Sequence, residues 1–212
     1  MKWRVLTMAA AISALGSVTP AQATPIVYTE TTTANGALDG ASFTHALVTI
    51  TFSGDTSNVS SFPGACASCL KNVPALNATV NVAGVGTDSF TDTIGIIGIP
   101  ILSPDLNNHA GVGFVDAAPM TSGLNILATL SDALVGYDLI SPMGPIVGGA
   151  QVQGTGVSYT TTLGSFEWTS VPETATFTAR VSPVPVPEPG SMVLLGMGLV
   201  GAAARRWRGR KA

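Results

Sequence analysis

The chain has 212 residues, of which only 10% are charged, with 24 glycines, 14 prolines and a formal net charge of −3. This length suits one ordinary domain with appendages, and the glycine and proline content implies many turns and irregular connections. Seven of the nine basic residues sit at the two ends, leaving Lys71 and Arg180 against all twelve acidic residues between them. A body so charged repels phosphates and excludes nucleic acid as a partner.

The N-terminus opens with the positive segment Met1-Lys-Trp-Arg4, followed by a small-residue apolar run from Val5 to Leu15. Ala21-Gln22-Ala23 then fits the A-x-A rule, so residues 1–23 are expected to be a signal peptide removed by signal peptidase after Ala23. The run is too short for a transmembrane anchor and breaks at Gly16 and Pro20.

From residue 24 to about 181 the hydrophobic period is two. In His45–Ser53, Val48, Ile50 and Phe52 point one way, and Thr49, Thr51 and Ser53 the other. Ala78–Val82, Val157–Leu163, Ser165–Thr169 and Thr174–Val181 repeat the scheme, the last with Ala175, Phe177, Ala179 and Val181 inward. Threonine suits the outward positions, because its branched Cβ favours extended backbone and its hydroxyl faces water. Ala34-Asn-Gly36, Gly54-Asp55, Asn107-Asn108 and Gly148-Gly149 read as punctuation between strands. Ser53–Ala75 reads as a long loop, and Leu124–Leu134 fits a short helix or a strand pair, with strand favoured. The pattern predicts an all-β fold, an antiparallel β-sandwich or jelly-roll-like domain over residues 24–181.

Chemistry-bearing motifs are sparse. Cys66-Ala-Ser-Cys69 lacks the second pair of a zinc ribbon, the following histidine of a haem site and a thioredoxin-like βαβ context. In an exported protein it predicts a local disulfide. His45 suits an edge position and His109 a turn. No nucleophile elbow, H-E-x-x-H or P-loop occurs, and the G-x-G-x-x-G at Gly196–Gly201 lies in an apolar segment with no strand before it. Asp88, Asp92, Asp105 and Asp116 match no EF-hand spacing and read as solvated loop carboxylates. Asn58-Val-Ser60 and Asn77-Ala-Thr79 are formal glycosylation sequons. No catalytic residue, metal or cofactor is assigned.

The C-terminus has three parts. Residues 182–189 place proline at every second position, an extended spacer. Residues 190–204 are apolar or small throughout, and as a helix would span roughly 22 Å at ~1.5 Å per residue. That falls short of the roughly 30 Å hydrocarbon core, a gap that snorkelling arginine stems and Trp207 partly close. Residues 205–212 hold Arg205, Arg206, Arg208, Arg210 and Lys211, a basic cytoplasmic block under the positive-inside rule. Together these read as a stop-transfer segment, a C-terminal transmembrane helix with an exported body before it.

Val186-Pro187-Glu188-Pro189, the short glycine-studded apolar run and the arginine cluster resemble the PEP-CTERM sorting signal of Gram-negative bacteria. Gly196–Arg206 is similar to that family's usual G-x-G-L-x-G-A-x-x-R-R ending, although Met192 stands where members often carry an aromatic. The resemblance covers roughly the last 27 residues and implies a route. The chain would cross the inner membrane, be held there transiently, and be recognised by exosortase, a membrane-embedded transpeptidase-like enzyme. Cleavage near Pro187-Glu188-Pro189 would send the body to the cell surface or extracellular matrix, with exopolysaccharide and biofilm as the implied setting.

The reading that follows is a non-enzymatic surface or matrix protein whose sandwich presents hydroxyl-rich faces to polysaccharide or to other copies of itself. An alternative is a carbohydrate-binding or adhesive module, with Tyr28, Tyr137, Tyr159 and Trp168 as candidate platforms, although Trp168 reads more readily as core. A secreted hydrolase would need carboxylates such as Asp116, Asp138 and Glu167 brought about 5–9 Å apart.

Overall fold

The structure is a computed structural model and describes residues 24–62, 67–73, 77–116 and 125–181. These residues form thirteen strands and three single-turn 3-10 segments, with no α-helix among them. The long pair β1 (Pro25–Leu38) and β2 (Ala41–Asp55) is joined at Asp39-Gly40. Both turn residues have positive φ, 52° and 81°, as a two-residue hairpin turn matched to strand twist requires. There follow β3 (Val59–Ser61), β4 (Leu70–Asn72), β5 (Asn77–Val82), β6 (Gly86–Ser89), β7 (Ile94–Ser103) and β8 (His109–Asp116). The set is completed by β9 (Asn125–Leu130), β10 (Met143–Gln151), β11 (Ser158–Thr160), β12 (Ser165–Trp168) and β13 (Thr174–Val181).

All join one antiparallel sheet in the order β3-β4-β7-β8-β9-β10-β13-β1-β2-β5-β6, with β12 on β1 and β11 on β12. The sheet folds over on itself. Five strand spacings separate β8 from β2 along that order, about 24 Å if it lay flat at ~4.8 Å per strand. Yet the rings of Phe52 on β2 and Phe114 on β8 stack with centroids 6.2 Å apart. The two halves therefore face one another across a single core, as in a sandwich, though one continuous sheet supplies both.

The inward positions of β2, β5, β12 and β13 are those the period-two pattern marks. Val48, Ile50, Phe52, Ala78, Val80, Val82, Phe166, Trp168, Ala175, Phe177 and Ala179 are all buried, while Val181 is half-buried. Several local expectations are corrected. Ala34-Asn-Gly36 and Gly148-Gly149 are not turns but lie inside β1 and β10; the first is a bulge in the β1–β2 register. Ser53–Ala75 is not one loop. Within it β2 runs on to Asp55, a 3-10 turn covers Thr56–Asn58, and β3 pairs β4, which in turn pairs β7. The third alternating run stops as a strand at Thr160, leaving Leu163 78% exposed in the turn to β12. Residues 125–134 form one strand and a 3-10 turn over Asp132–Leu134 rather than a helix or a strand pair.

Candidate functional site

The predicted sorting residues Val186, Pro187, Glu188 and Pro189, the basic cluster from Arg205 to Lys211, and the processing residues Ala21 and Ala23 lie outside the described residues. So does the expected membrane helix at 190–204; among the described residues no helix is long and apolar enough to cross a membrane. Cys69 is buried and is not a free thiol, while Cys66, its expected partner, lies outside the described residues.

The aromatic residues weighed as ligand platforms are corrected: all four are core. Tyr28, Tyr137, Tyr159 and Trp168 are between 0% and 3% exposed. Trp168 packs edge-on against Phe166 at 4.7 Å and donates its indole N–H to the Ile126 carbonyl at 2.7 Å. The Tyr28 hydroxyl donates to the Leu139 carbonyl at 2.6 Å and accepts from the Asn72 side-chain amide at 3.1 Å. Burial pushes its phenol up to about 12. Each polar tip is thus taken by the interior, as buried Tyr and Trp require.

The carboxylates weighed for hydrolysis occupy separate places: Asp116 ends β8, Glu167 lies in β12, and Asp138 follows the 3-10 turn. Asp138 organises its own loop, accepting the amides of Ile140 and Ser141 and the Ser141 hydroxyl, all at 2.8 Å. Burial raises its carboxyl, but those bonds outweigh it and hold it below the ordinary value. Asp88 ties the turn before β12 to the end of β6, accepting the Leu163 amide at 2.8 Å, the Ser89 amide at 2.7 Å and the Thr162 hydroxyl. No group of three or more His, Cys, Asp or Glu side chains that could hold a metal occurs among the described residues. His109 pairs with Asp132 at 2.7 Å on the surface, and Asn58 is exposed.

The site that the fold builds is a groove, and it begins at the β1 bulge. The Asn35 side-chain oxygen accepts the His45 amide at 2.7 Å, and its backbone oxygen accepts the Thr169 amide at 3.0 Å. Its own N–H donates to the Ser170 hydroxyl at 3.1 Å. Gly36 is required beside it, since a Cβ there would meet the Glu167 oxygen at 2.4 Å and the Phe43 ring at 2.5 Å. On the far wall Pro172 is buried, and the Thr32 hydroxyl donates to the Thr174 carbonyl at 2.6 Å. Between these pinned segments runs a groove of about 460 Å³, lined by Thr31, Thr33, His45, Glu173, Thr174 and Thr176 among others. Leu47 and Val171 add exposed apolar surface to its walls. Hydroxyls dominate, with one carboxylate and one imidazole, so the groove is suited to hold a hydroxylated ligand by hydrogen bonds. None of the sequence motifs marks it; a bulge pairing distant segments leaves no local signature.

Comparison with known proteins bears on the C-terminus. Residues 185–211 match the family model of the PEP-CTERM protein-sorting motif. No curated protein and no solved structure matches the chain.

Proposed function

Because the chain carries a PEP-CTERM protein-sorting motif at residues 185–211, we propose that it is a non-enzymatic exported protein of the cell surface or extracellular matrix. In this reading signal peptidase removes residues 1–23, and the segment 190–204 holds the chain in the inner membrane. The Arg205–Lys211 cluster stays cytoplasmic and halts translocation. The proline spacer holds Pro187-Glu188-Pro189 clear of the folded domain, while the apolar segment fixes its height above the bilayer for exosortase. Cleavage releases the body into an exopolysaccharide or biofilm matrix. Cys66 and Cys69 would form a short-range disulfide in that oxidising setting.

The motif match carries the reading. Its test is the intact mass of the protein recovered from the cell surface or medium, with and without exosortase. A chain running from about Thr24 to near Pro187–Pro189, formed only when exosortase is present, supports it. A membrane-bound chain that still ends in Arg205–Ala212 overturns it.

A further inference from the structure

The sheet register lines up the outward side chains of five strands. One row crosses Thr176 on β13, Thr31 on β1, Thr49 on β2, Asn81 on β5 and Thr87 on β6. The next row, from Thr178 through Thr29 to Ser89, carries hydroxyls only. Every member of both rows on these five strands is half-buried or exposed and none is charged or apolar, while on β10 the first row ends at Val147, an apolar residue 66% exposed. Strands lie ~4.8 Å apart and alternate residues along a strand ~6.8 Å apart, so the hydroxyls form a near-regular grid. Each hydroxyl can both donate and accept.

This grid runs without a break into the groove, since Thr31 and Thr176 belong to both. The charges at its margins include Glu173 within the groove, Arg180 towards the other end of β13, opposite Val27, and Asp55 at the end of β2. A protein partner would want an apolar centre, whereas here the centre is polar and the exposed apolar residues Val147 and Leu47 lie at its edges. An anionic polymer would bring its charges to Glu173, with no lysine or arginine lining the groove to offset them. A neutral glycan satisfies both demands. Its hydroxyls complement the threonine grid, its C–H faces can rest on Leu47 and Val171, and two of its hydroxyls can donate to the Glu173 carboxylate.

We propose that this face and groove together bind a neutral polysaccharide strand, with one sugar unit seated in the groove and the chain continuing over the threonine rows. The proposal deepens the matrix reading above and rests on it for the source of the polymer.

The test is affinity electrophoresis of the full-length chain in detergent micelles, through gels containing a soluble neutral β-glucan or, separately, polygalacturonate. A triple variant, Thr29→Val, Thr31→Val and Thr49→Val, removes three hydroxyls while keeping β-branched shape in the strands. Circular dichroism and a urea unfolding curve check that it folds. Expected are retardation by the glucan, none by polygalacturonate, and at least a tenfold weakening in the triple variant, from three net hydrogen bonds lost. Unchanged retention in the triple variant, equal retention by polygalacturonate, or no retention by the glucan would each overturn the proposal. So would self-association that the triple variant abolishes without any glucan retention, which assigns the face to a second copy. The outcomes are separable from sorting: a retained tail with normal glucan binding sinks only the sorting reading, and lost binding with normal tail removal sinks only this one.

Discussion

Glu30 on β1 reaches through the interior to Thr129 on β9, a strand that is not its neighbour, and its Oε1 accepts the Thr129 backbone N–H at 3.0 Å. The carboxyl is fully buried, and burial pushes it well above the ordinary carboxylate range, with the hydrogen bond from the Thr129 backbone N–H pulling only partly back. Its Oε2 and the Thr129 hydroxyl are both buried without a hydrogen-bond partner among the described residues. An acid held protonated in the fold and ionised in the unfolded chain lowers stability as pH rises. The loss begins above the unfolded carboxylate value and runs at about 1.4 kcal/mol per pH unit up to the folded one.

Glu30→Gln is therefore expected to stabilise the protein at pH 7 and to match it near pH 4, because the amide cannot ionise and its oxygen still accepts from Thr129. Urea midpoints measured from pH 4 to 8 check this. A variant less stable than the parent at every pH would show that the carboxyl itself is needed.

Asp88 has the opposite sign. Burial raises its carboxyl, but the bonds from the Thr162 hydroxyl and the Leu163 and Ser89 amides prevail and bring it to about 2. Its stabilising effect is complete above the unfolded carboxylate value near ~3.9 and disappears as pH falls through about 2. Asp88→Asn should be less stable than the parent at pH 7 and converge with it near pH 2. Hydrogen exchange at the Leu163 amide should quicken in the variant at neutral pH.

Trp168→Ala should cost roughly 3–5 kcal/mol, since it empties a fully buried site and leaves the Ile126 carbonyl without the indole donor. Trp168→Phe should cost less, keeping the ring contact with Phe166 and losing only the bond and part of the volume. Denaturant unfolding gives both numbers. Glucan retention of folded Trp168→Phe should equal the parent's, because Trp168 is an interior residue; a specific loss of retention would return it to the surface.

Gly148→Ala should destabilise the fold, because its Cβ would lie 2.1 Å from the Leu130 carbonyl oxygen, where β10 closes on β9. Backbone atoms cannot step aside as a flexible side chain can, so a cost of about 1–3 kcal/mol or more follows. Gly149, next to it, has open space where a Cβ would sit. Thermal midpoints of Gly148→Ala and Gly149→Ala should therefore separate clearly, and equal midpoints would mean that the β9–β10 contact is loose.

The sequence by itself determined the β character of the body. Alternation such as Val48, Ile50 and Phe52 against Thr49, Thr51 and Ser53 is local, and the pleat turns period two directly into two faces. It also marked the C-terminal sorting motif, whose spacer, apolar run and basic block are consecutive in the chain and need no tertiary context. The alternation failed where an inward face is polar: in β1 Glu30 and Thr32 point inside among Tyr28 and Ala34, so hydrophobicity alone gives that strand no clear period. What only the tertiary structure decided is non-local. The folding-over of one sheet buries Tyr28, Tyr137, Tyr159 and Trp168 together, and composition cannot say which side of a sheet an aromatic takes. The bulge at Asn35 brings residues 31–35 against 170–174 and opens the groove. The threonine rows exist only because the register aligns Thr176, Thr31 and Thr49, a one-residue slip of which would turn each of them to the other face.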